Sequence, residues 1–326
     1  MNRREVLQAG LGAASAVTLS SGAFAQAKFP ERPIKLLIPF SAGGVTDIVG
    51  RHWAERMKAP LGTIYVENQG GAAGTIGATD VARSAADGHS ILLGNTSVLV
   101  LNPMTTTKLS YDPIKDFVPI SILCVAAVAW VVHEKVPAKT LREFVAYAKA
   151  NPGKLSYGSA GTGTMTHLAA EQFKQAAGLE ELTHVPYKGA GPAIADLVSG
   201  HIPAGTPNVT SQVLEFHKTG KVRILAVFSP ERLKGAPEIP TAIELGFANQ
   251  VGQLFVGVFA PSATPKPVVE QIAAANHKVM EDAAFQKILI DSGLEPISDT
   301  PDRAKAYIVE ETARWGPVVK AIGLVK

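Results

Sequence analysis

The sequence has few of the residues that several common functions require. Its 326 residues include one cysteine, Cys124, which excludes an internal disulfide, a zinc ribbon, an iron–sulfur cluster and CxxC redox chemistry. Aromatic residues make up 6 % of the chain, which argues against a stacking platform for single-stranded nucleic acid. The 31 basic and 28 acidic residues nearly balance, and no run of five Lys or Arg occurs. The chain therefore has no electrostatic footprint for nucleic acid.

Long hydrophobic runs are also scarce. Beyond the N-terminal segment, no stretch reaches the about 18 apolar residues of a membrane-spanning helix. The longest run, residues 120–132, is interrupted by Ser121. Its length predicts a buried strand or a pair of strands, in a mature protein that is soluble.

The first 25 residues have the pattern of an export signal. Arg3 and Arg4 precede an uncharged segment, residues 6–24, and Ala-Phe-Ala at 23–25 is an A-x-A site. The pattern predicts cleavage before Gln26 and export to the periplasm. Residues 2–7 (NRREVL) also partly match a twin-arginine signal, so both the twin-arginine and the general export routes stay open.

The remaining chain alternates short apolar runs with longer helical patterns. Hydrophobic residues make up 46 % and charged residues 18 %, a composition typical of globular proteins, and the length fits about two domains. Strands are predicted at residues 34–40, 63–67, 90–94, 125–132, 155–159, 222–228 and 255–260, and helices at 46–57, 76–84, 141–150, 165–177, 194–199, 267–280 and 301–322. This alternation predicts an α/β fold with mainly parallel sheets covered by helices.

Two loops of similar character follow a predicted strand and open a predicted helix. They are residues 39–47 (PFSAGGVTD) and 157–167 (YGSAGTGTMTH). A helix start exposes unpaired N–H groups and the positive end of the helix dipole, and glycine lets that backbone approach a ligand. Two such loops facing each other would hold anionic groups without Lys or Arg. Ordinary turn and N-cap chemistry is the alternative explanation for each loop taken alone.

Motifs for catalysis and for metal binding are incomplete. Around Ser159 the chain reads YGSAG, which lacks the first glycine of a G-x-S-x-G nucleophile elbow. Gly163 is followed by Thr164 rather than by the Lys of a P-loop, and the G-x-G-x-x-G pattern begun at Gly161 ends at Thr166. The eight histidines form no H-E-x-x-H motif. The sequence therefore predicts no catalytic residue, no cofactor and no metal site.

Several motifs, in order, carry a resemblance to a known family. They are residues 38–44 (IPFSAGG) with Asp47, 66–68 (VEN), 86–89 (ADGH), 111–117 (YDPIKDF), 157–159 (YGS), 184–189 (HVPYKG) and 220–223 (GKVR). The chain resembles the Bug receptors, which are the substrate-binding proteins of tripartite tricarboxylate transporters. The resemblance runs from Phe29 to the C-terminus.

The resemblance implies a two-domain periplasmic-binding-protein fold, type II-like, with crossing strands between the domains. The expected boundaries are 1–25 for the signal, 26–128 together with 255–326 for the first domain, and 129–254 for the second. It also implies a solute receptor, not an enzyme, that closes around a ligand and delivers it to membrane transporter subunits. The expected protein is a monomer.

The family pins ligand carboxylates with two loops, which are the loops identified above. Carried over, the expected ligand-binding residues are Phe40, Ser41, Ala42, Gly43, Gly44, Asp47, Thr96, Ser159, Gly161, Thr162, Thr164, Tyr187, Asn208 and Phe255. Backbone N–H groups and hydroxyls would hold the carboxylates, and Phe40 and Phe255 would supply apolar walls. Asp47 either touches the ligand or only stabilises its own helix.

Two departures from the family pattern bear on the ligand. Residues 68–71 read NQGG, where the family commonly has Arg-Pro after Asn, and residues 204–208 (AGTPN) lack an acidic residue before Asn208. The second departure favours a plain carboxylate, whether a di- or tricarboxylate or an aromatic one, over an amino acid. The alternatives to a transport receptor are a ligand sensor for a membrane signalling partner and a secreted hydrolase that uses Ser159 and a histidine.

Overall fold

The structure is a computed structural model that describes residues 29–297 and 299–324. The predicted export signal, residues 1–25, lies outside the described residues. The strands are β1 (Ile34–Ile38), β2 (Ile64–Asn68), β3 (Ser90–Asn95), β4 (Phe117–Ala127), β5 (Ala129–His133), β6 (Ser156–Ser159), β7 (Thr183–Pro186), β8 (Ala204–Gly205), β9 (Val222–Val227), β10 (Gln253–Pro261) and β11 (Leu294–Pro296). The helices are α1 (Val45–Leu61), α2 (Thr75–Ala82), α3 (Asn102–Thr105), α4 (Leu141–Ala150), α5 (Met165–Ala177), α6 (Ala190–Ser199), α7 (Ser211–Lys218), α8 (Lys266–Glu281), α9 (Ala283–Asp291) and α10 (Pro301–Ala321).

Two β-sheets flanked by helices organise the chain. The first has six strands in the order β11-β4-β10-β3-β1-β2, and the second has five in the order β7-β6-β8-β5-β9. The chain leaves the first sheet at the end of β4 and enters the second at β5. It returns to the first sheet through β10, so the first sheet combines N-terminal and C-terminal strands. The predicted α/β fold, with two sheets flanked by helices, is confirmed.

The expectation of mainly parallel sheets needs a correction, because both sheets are mixed. In the first sheet β1 runs parallel to β2 and β3, but β10 runs antiparallel to β3 and β4. In the second sheet β6 runs parallel to β7 and β8, whereas β5 runs antiparallel to β8 and β9. The reason lies in the crossing: β4 carries the chain out of the first sheet and β10 brings it back alongside, so the two must point in opposite directions.

The crossing between the sheets is tightly hydrogen-bonded. Val128, the residue between β4 and β5, donates its N–H to the carbonyl of Gly252 at 2.8 Å and accepts from the N–H of Phe228 at 2.7 Å. The predicted apolar run 120–132 is therefore a pair of strands, one in each sheet. Trp130 in β5 packs against Phe144 and Phe173 in the core of the second half.

Most predicted elements are present, and the differences are informative. The helices predicted at 141–150 and 165–177 match the structure exactly in extent, but the helix predicted at 194–199 begins four residues earlier, at Ala190. The sequence analysis did not predict strands β7, β8 and β11 or helices α3, α7 and α9. These are short elements, for which local sequence periodicity carries little signal.

A buried hydrogen bond joins helices α1 and α8. The indole N–H of Trp53, which is fully buried, donates to the side-chain oxygen of Asn276 at 2.7 Å. Replacing Asn276 by Leu leaves this N–H without an acceptor, and we expect a loss of about 1–3 kcal/mol in the free energy of unfolding. Guanidinium unfolding monitored by circular dichroism measures it, and the exposed Asn249→Leu is the matched control. An Asn276→Leu protein as stable as the control would contradict this account.

Candidate functional site

A small cavity lies where the two halves of the chain meet. The first half contributes Phe40, Ser41, Gly44, Val45, Thr46, Asp47, Asn95, Ser97 and Leu254, and the second contributes Ala160, Thr164, Thr166, Ala190 and Asn208. We call it the cleft cavity. Among the described residues, no Lys or Arg side chain lines it. A ligand held there would be bound by neutral donors.

Three helix N-termini converge on the cleft cavity. Helix α1 begins after Gly44, α5 after Thr164 and α6 after Gly189, and the residues at or beside these starts line the cavity. Within the described chain, the N-cap residues of these three helices, Gly44, Thr164 and Gly189, make no side-chain cap bond, whereas the N-cap residues of α4, α7, α9 and α10 each supply a capping hydroxyl or carboxylate. The first N–H groups of a helix have no partner inside the helix. Their convergence makes a donor-rich site for an anion.

The hydroxyl of Thr164 shows why α5 lacks a cap. It donates to the carbonyl of Gly161 at 2.6 Å instead of accepting from its own helix. The N–H of Met165, the first residue of α5, donates across the cleft to the hydroxyl of Ser97 at 3.0 Å. Helix α5 is thereby tied to the opposite half of the molecule.

Asp47 holds the loop that precedes α1. Its carboxylate accepts from the N–H of Gly43, the guanidinium of Arg51 and the amide of Asn68, each at 3.0 Å. The Asn68 amide also donates to the carbonyl of Phe40 at 3.0 Å. Burial raises the pKa of Asp47, but these hydrogen bonds outweigh it and hold the pKa below its usual range. The carboxylate is thus ionised, and its hydrogen bonds fix the loop in place.

Two hydroxyls in the cleft cavity are engaged as acceptors. Thr46 accepts from the side-chain amide of Asn95 at 3.1 Å, and Ser97 accepts from Met165. In the described part of the chain, neither hydroxyl proton has a protein acceptor. Both hydroxyls are therefore able to donate to an oxygen atom placed in the cavity.

The two halves are in close contact around the cavity. The Ser41 hydroxyl donates to the carbonyl of Lys188 at 3.2 Å. A Cβ atom placed on Gly191, near the start of α6, would lie 1.9 Å from the carbonyl oxygen of Ala42. Only glycine at position 191 permits the two halves to approach each other this closely. The cleft between the two halves is therefore closed in this structure.

Ser159 lies behind the second loop in a stack of aromatic rings. Its hydroxyl is 2.7 Å from Nε2 of His184, and the His184 ring stacks on His167 and on Tyr157 at centroid distances of 4.0 and 5.0 Å. Burial and the adjacent His167 lower the pKa of His184 to about 4.

The short distance between the Ser159 hydroxyl and the His184 ring is typical of a serine nucleophile and its base in a hydrolase. However, Ser159 is only 1 % exposed, and its hydroxyl also accepts from the N–H of Gly161 at 3.1 Å. A base whose pKa is about 4 accepts a proton poorly near neutral pH. The geometry favours a structural role for the pair in fixing the loop.

The structure places the predicted site residues in several positions. Phe40, Ser41, Gly44, Asp47, Thr164 and Asn208 line the cleft cavity, and Ala42 and Gly43 belong to the loop beside it. Gly161, Thr162 and Tyr187 line an outer groove, and Ser159 lines a second, smaller cavity. Thr96 and Phe255 are buried against each other, the Phe255 N–H donating to the Thr96 hydroxyl at 2.8 Å. Contact of these residues with a ligand stays a prediction.

The sequence analysis missed other residues of the cleft cavity. These are Asn95, Ser97, Ala190 and Leu254; Val45, Thr46, Ala160 and Thr166 lie within the two predicted loops but were not among the expected ligand-binding residues. The signal for Asn95 and Ser97 was present, because both lie at the carboxyl end of β3, the edge of a sheet where α/β proteins bind ligands. Leu254 replaces Phe255 at the cavity because successive residues of a strand face opposite sides.

Other kinds of site find no support in residues 29–297 and 299–324. These ranges hold no group of three or more His, Cys, Asp or Glu side chains arranged for a metal ion. No helix in them combines the length and apolar character that crossing a membrane requires. Cys124 is fully buried, and burial raises the pKa of its thiol to about 12.

Comparison with known proteins agrees with this geometry. A family model described as "Tripartite tricarboxylate transporter family receptor" matches residues 49–324. The chain is 32 % identical to Protein BugT of Bordetella pertussis over 297 residues, covering 90 % of each chain.

Solved structures show the same fold. The chain is similar to the periplasmic binding protein BugD, with 33 % identity, a TM-score of 0.87, and 91 % of this chain and 100 % of that chain covered. It is also similar to MatC from Rhodopseudomonas palustris with bound malate, with 31 % identity, a TM-score of 0.84, and 89 % and 100 % covered.

The lowered pKa of His184 predicts a pH dependence of stability. Its ordinary value is 6.5, so as the pH falls from there towards about 4 the unfolded chain binds a proton that the folded protein does not. The free energy of unfolding must then decrease with falling pH. We expect His184→Phe, which preserves the ring stack but cannot titrate, to lose less stability between pH 7.5 and 5 than the wild type.

Urea unfolding at the two pH values measures this difference. His52→Phe, which replaces an exposed histidine on α1, is the control and should show the wild-type dependence. If the wild type and His184→Phe lost the same stability, proton uptake by His184 on unfolding would not contribute to the pH dependence. That result would contradict the prediction.

Proposed function

The chain belongs to the tripartite tricarboxylate transporter receptor family, and we propose that it captures a small carboxylate in the cleft cavity and delivers it to the membrane subunits of such a transporter. The family consists of periplasmic binding proteins, which places its members in the periplasm. For this chain, we propose export through a signal at residues 1–25, by the twin-arginine or the general route, and action as a monomer. The proposal includes no catalytic step.

The observation that carries the proposal is the convergence on one cavity of three helix N-termini whose N-cap residues supply no capping side chain. Each contributes about 0.3–2 kcal/mol towards binding an anion. A carboxylate has two oxygens that together accept about four hydrogen bonds, which suits a site built from backbone N–H groups and the hydroxyls of Thr46 and Ser97. The malate bound to MatC supports this class of ligand.

Closure of the cleft is the proposed mechanism. Helix α1 belongs to the first half, and α5 and α6 belong to the second, so one carboxylate placed between them accepts from both halves. We propose domains of residues 26–128 with 255–326 and of residues 129–254, which would rotate about the crossing strands near Val128. The contacts of Ser97 with Met165 and of Ser41 with Lys188 would form only on closure.

The hydroxyls of Thr46 and Ser97, whose protons have no acceptor in the described part of the protein, provide the test of the proposal. We expect Thr46→Val and Ser97→Ala each to weaken carboxylate binding by about tenfold to a hundredfold, because a hydrogen bond to a charged group contributes about 1.5–3 kcal/mol. Isothermal titration calorimetry with malate, succinate, citrate and benzoate measures the effect on every acid that binds to the wild type.

Matched controls separate binding from folding. Thr312→Val and Ser199→Ala remove hydroxyls that bond within their own segments, outside the cleft cavity, and should leave affinity unchanged. The melting temperature of each variant reports whether it is folded. Folded Thr46→Val and Ser97→Ala proteins with wild-type affinity would contradict the proposal, as would a wild type that binds no carboxylate.

A further inference from the structure

The two halves of the chain also meet on the far side of the crossing strands from the cleft cavity. In the first sheet, β4 and β10 lie between β11 and the strands β3 and β1, whose following loops line the cavity. In the second sheet, β9 lies at the opposite edge from β6 and β7, which precede the cavity residues of that half. Residues 290–295 of the first half here contact Val209, Lys234 and Gly235 of the second. We call this the rear contact.

The rear contact is packed without spare room. A Cβ atom placed on Gly235 would lie 2.6 Å from the carbonyl oxygen of Ile290, and a Cβ on Gly293 would lie 2.9 Å from Cγ1 of Val209. Val209 is itself held to the crossing, because its N–H donates to the carbonyl of Ala127 at the end of β4 at 2.8 Å. The space between the two halves at this point therefore does not admit even one more carbon atom.

The rear contact also carries opposite charges on its two sides. The Lys234 ammonium of the second half lies 3.5 Å from the carboxylate of Glu295 in the first half. Glu295 belongs to β11 and pairs with Val125 in β4, so its backbone is fixed beside the crossing strands. The ion pair is partly exposed to solvent, and its attraction is weak and falls with salt.

The crossing strands make the rear contact and the cleft two arms of one lever. A rotation about these strands that separates the loops at the cleft brings the two sides of the rear contact closer together. In the closed structure Gly235 and the Ile290 carbonyl are already in contact. Packed protein has low compressibility, so opening of the cleft must work against the rear contact.

We infer that the rear contact is a stop that limits opening of the cleft, and that its bulk and charge set the carboxylate affinity from a distance. This inference rests on the proposed function and adds regulation to the same site. The apparent affinity of a ligand scales with the fraction of the free protein that is in the binding-competent form. Gly235 and Lys234 would control that fraction, although neither lines the cleft cavity.

Gly235→Ala tests the stop with the smallest possible addition. The extra carbon hinders opening more than closure, so the ligand-free protein shifts towards the closed form. Calorimetry with whichever of malate, succinate, citrate and benzoate binds the wild type most tightly should show about fivefold higher affinity. Gly316→Ala on α10 is the matched control, because a Cβ there meets nothing within 4 Å, and it should keep the wild-type affinity.

Charge reversal tests the same stop without adding bulk inside the contact. Lys234→Glu repels Glu295 and pushes the rear contact apart, which should raise affinity about twofold to fivefold at low salt. The gain should disappear at about 1 M sodium chloride, and adding Glu295→Lys should restore the wild-type affinity. Lys218→Glu, which reverses an exposed lysine on α7, changes the net charge equally and should give no gain.

The outcomes separate this inference from the proposed function. Folded Gly235→Ala with wild-type or weaker affinity would overturn the inference, as would Lys234→Glu without a gain at low salt. If Gly235→Ala does not fold, the charge variants decide alone. If no acid binds to the wild type, the proposed function fails, and small-angle X-ray scattering of the ligand-free proteins decides. A smaller radius of gyration for Lys234→Glu than for Lys218→Glu supports the stop, and equal radii overturn it.

Discussion

The N–H groups at the start of a helix need hydrogen-bond acceptors. The candidate site depends on three helices whose N-cap residues supply no such acceptor from their side chains. Gly44 precedes α1 with φ of −90°, a conformation open to any residue, yet a Cβ there would lie 3.2 Å from the Cβ of Ala190 across the cleft. Gly189, before α6, has φ of 156°, and a Cβ on it would lie 3.0 Å from the backbone nitrogen of Ser41. Close approach of the two halves thus selects glycine, and glycine brings no capping side chain. The same constraint that lets the cleft close leaves donors for an anion.

The fold turns these separate helix ends into one site. Strands β4 and β10 run side by side in opposite directions and carry the chain between the sheets, so the loops after β1 and β6 belong to different halves yet face each other. The carboxylate of Asp47 fixes the first loop through Gly43, Arg51 and Asn68. The rings of His167, His184 and Tyr157 support the second. Rigid loops mean that a ligand meets donors already in position, which reduces the entropy lost on binding.

Sequence patterns located two of the three helix N-termini, because glycine and hydroxyl residues after a strand are a clear signal. The third was missed: residues 189–192 (GAGP) carry no hydroxyl, and the helical periodicity is visible only from residue 194. The carboxyl end of β3 was located through Thr96, but which of residues 95–97 faces the cleft depends on tertiary packing, so Asn95 and Ser97 were missed. The family resemblance implied the two-domain fold. The antiparallel direction of β10 became known only from the strand pairing in the structure.

The amide resonances of the helix N-termini test the central claim most directly. In transverse-relaxation-optimised NMR spectra of the deuterated protein, saturation with the tightest-binding carboxylate should move the Val45, Thr46 and Ala190 N–H signals downfield more than any others, because those protons gain a charged acceptor. Amides at the capped starts of α4 and α7 should stay in place. Saturation binding that leaves Val45, Thr46 and Ala190 unmoved, with large shifts at a lysine- or arginine-lined surface instead, would contradict the account.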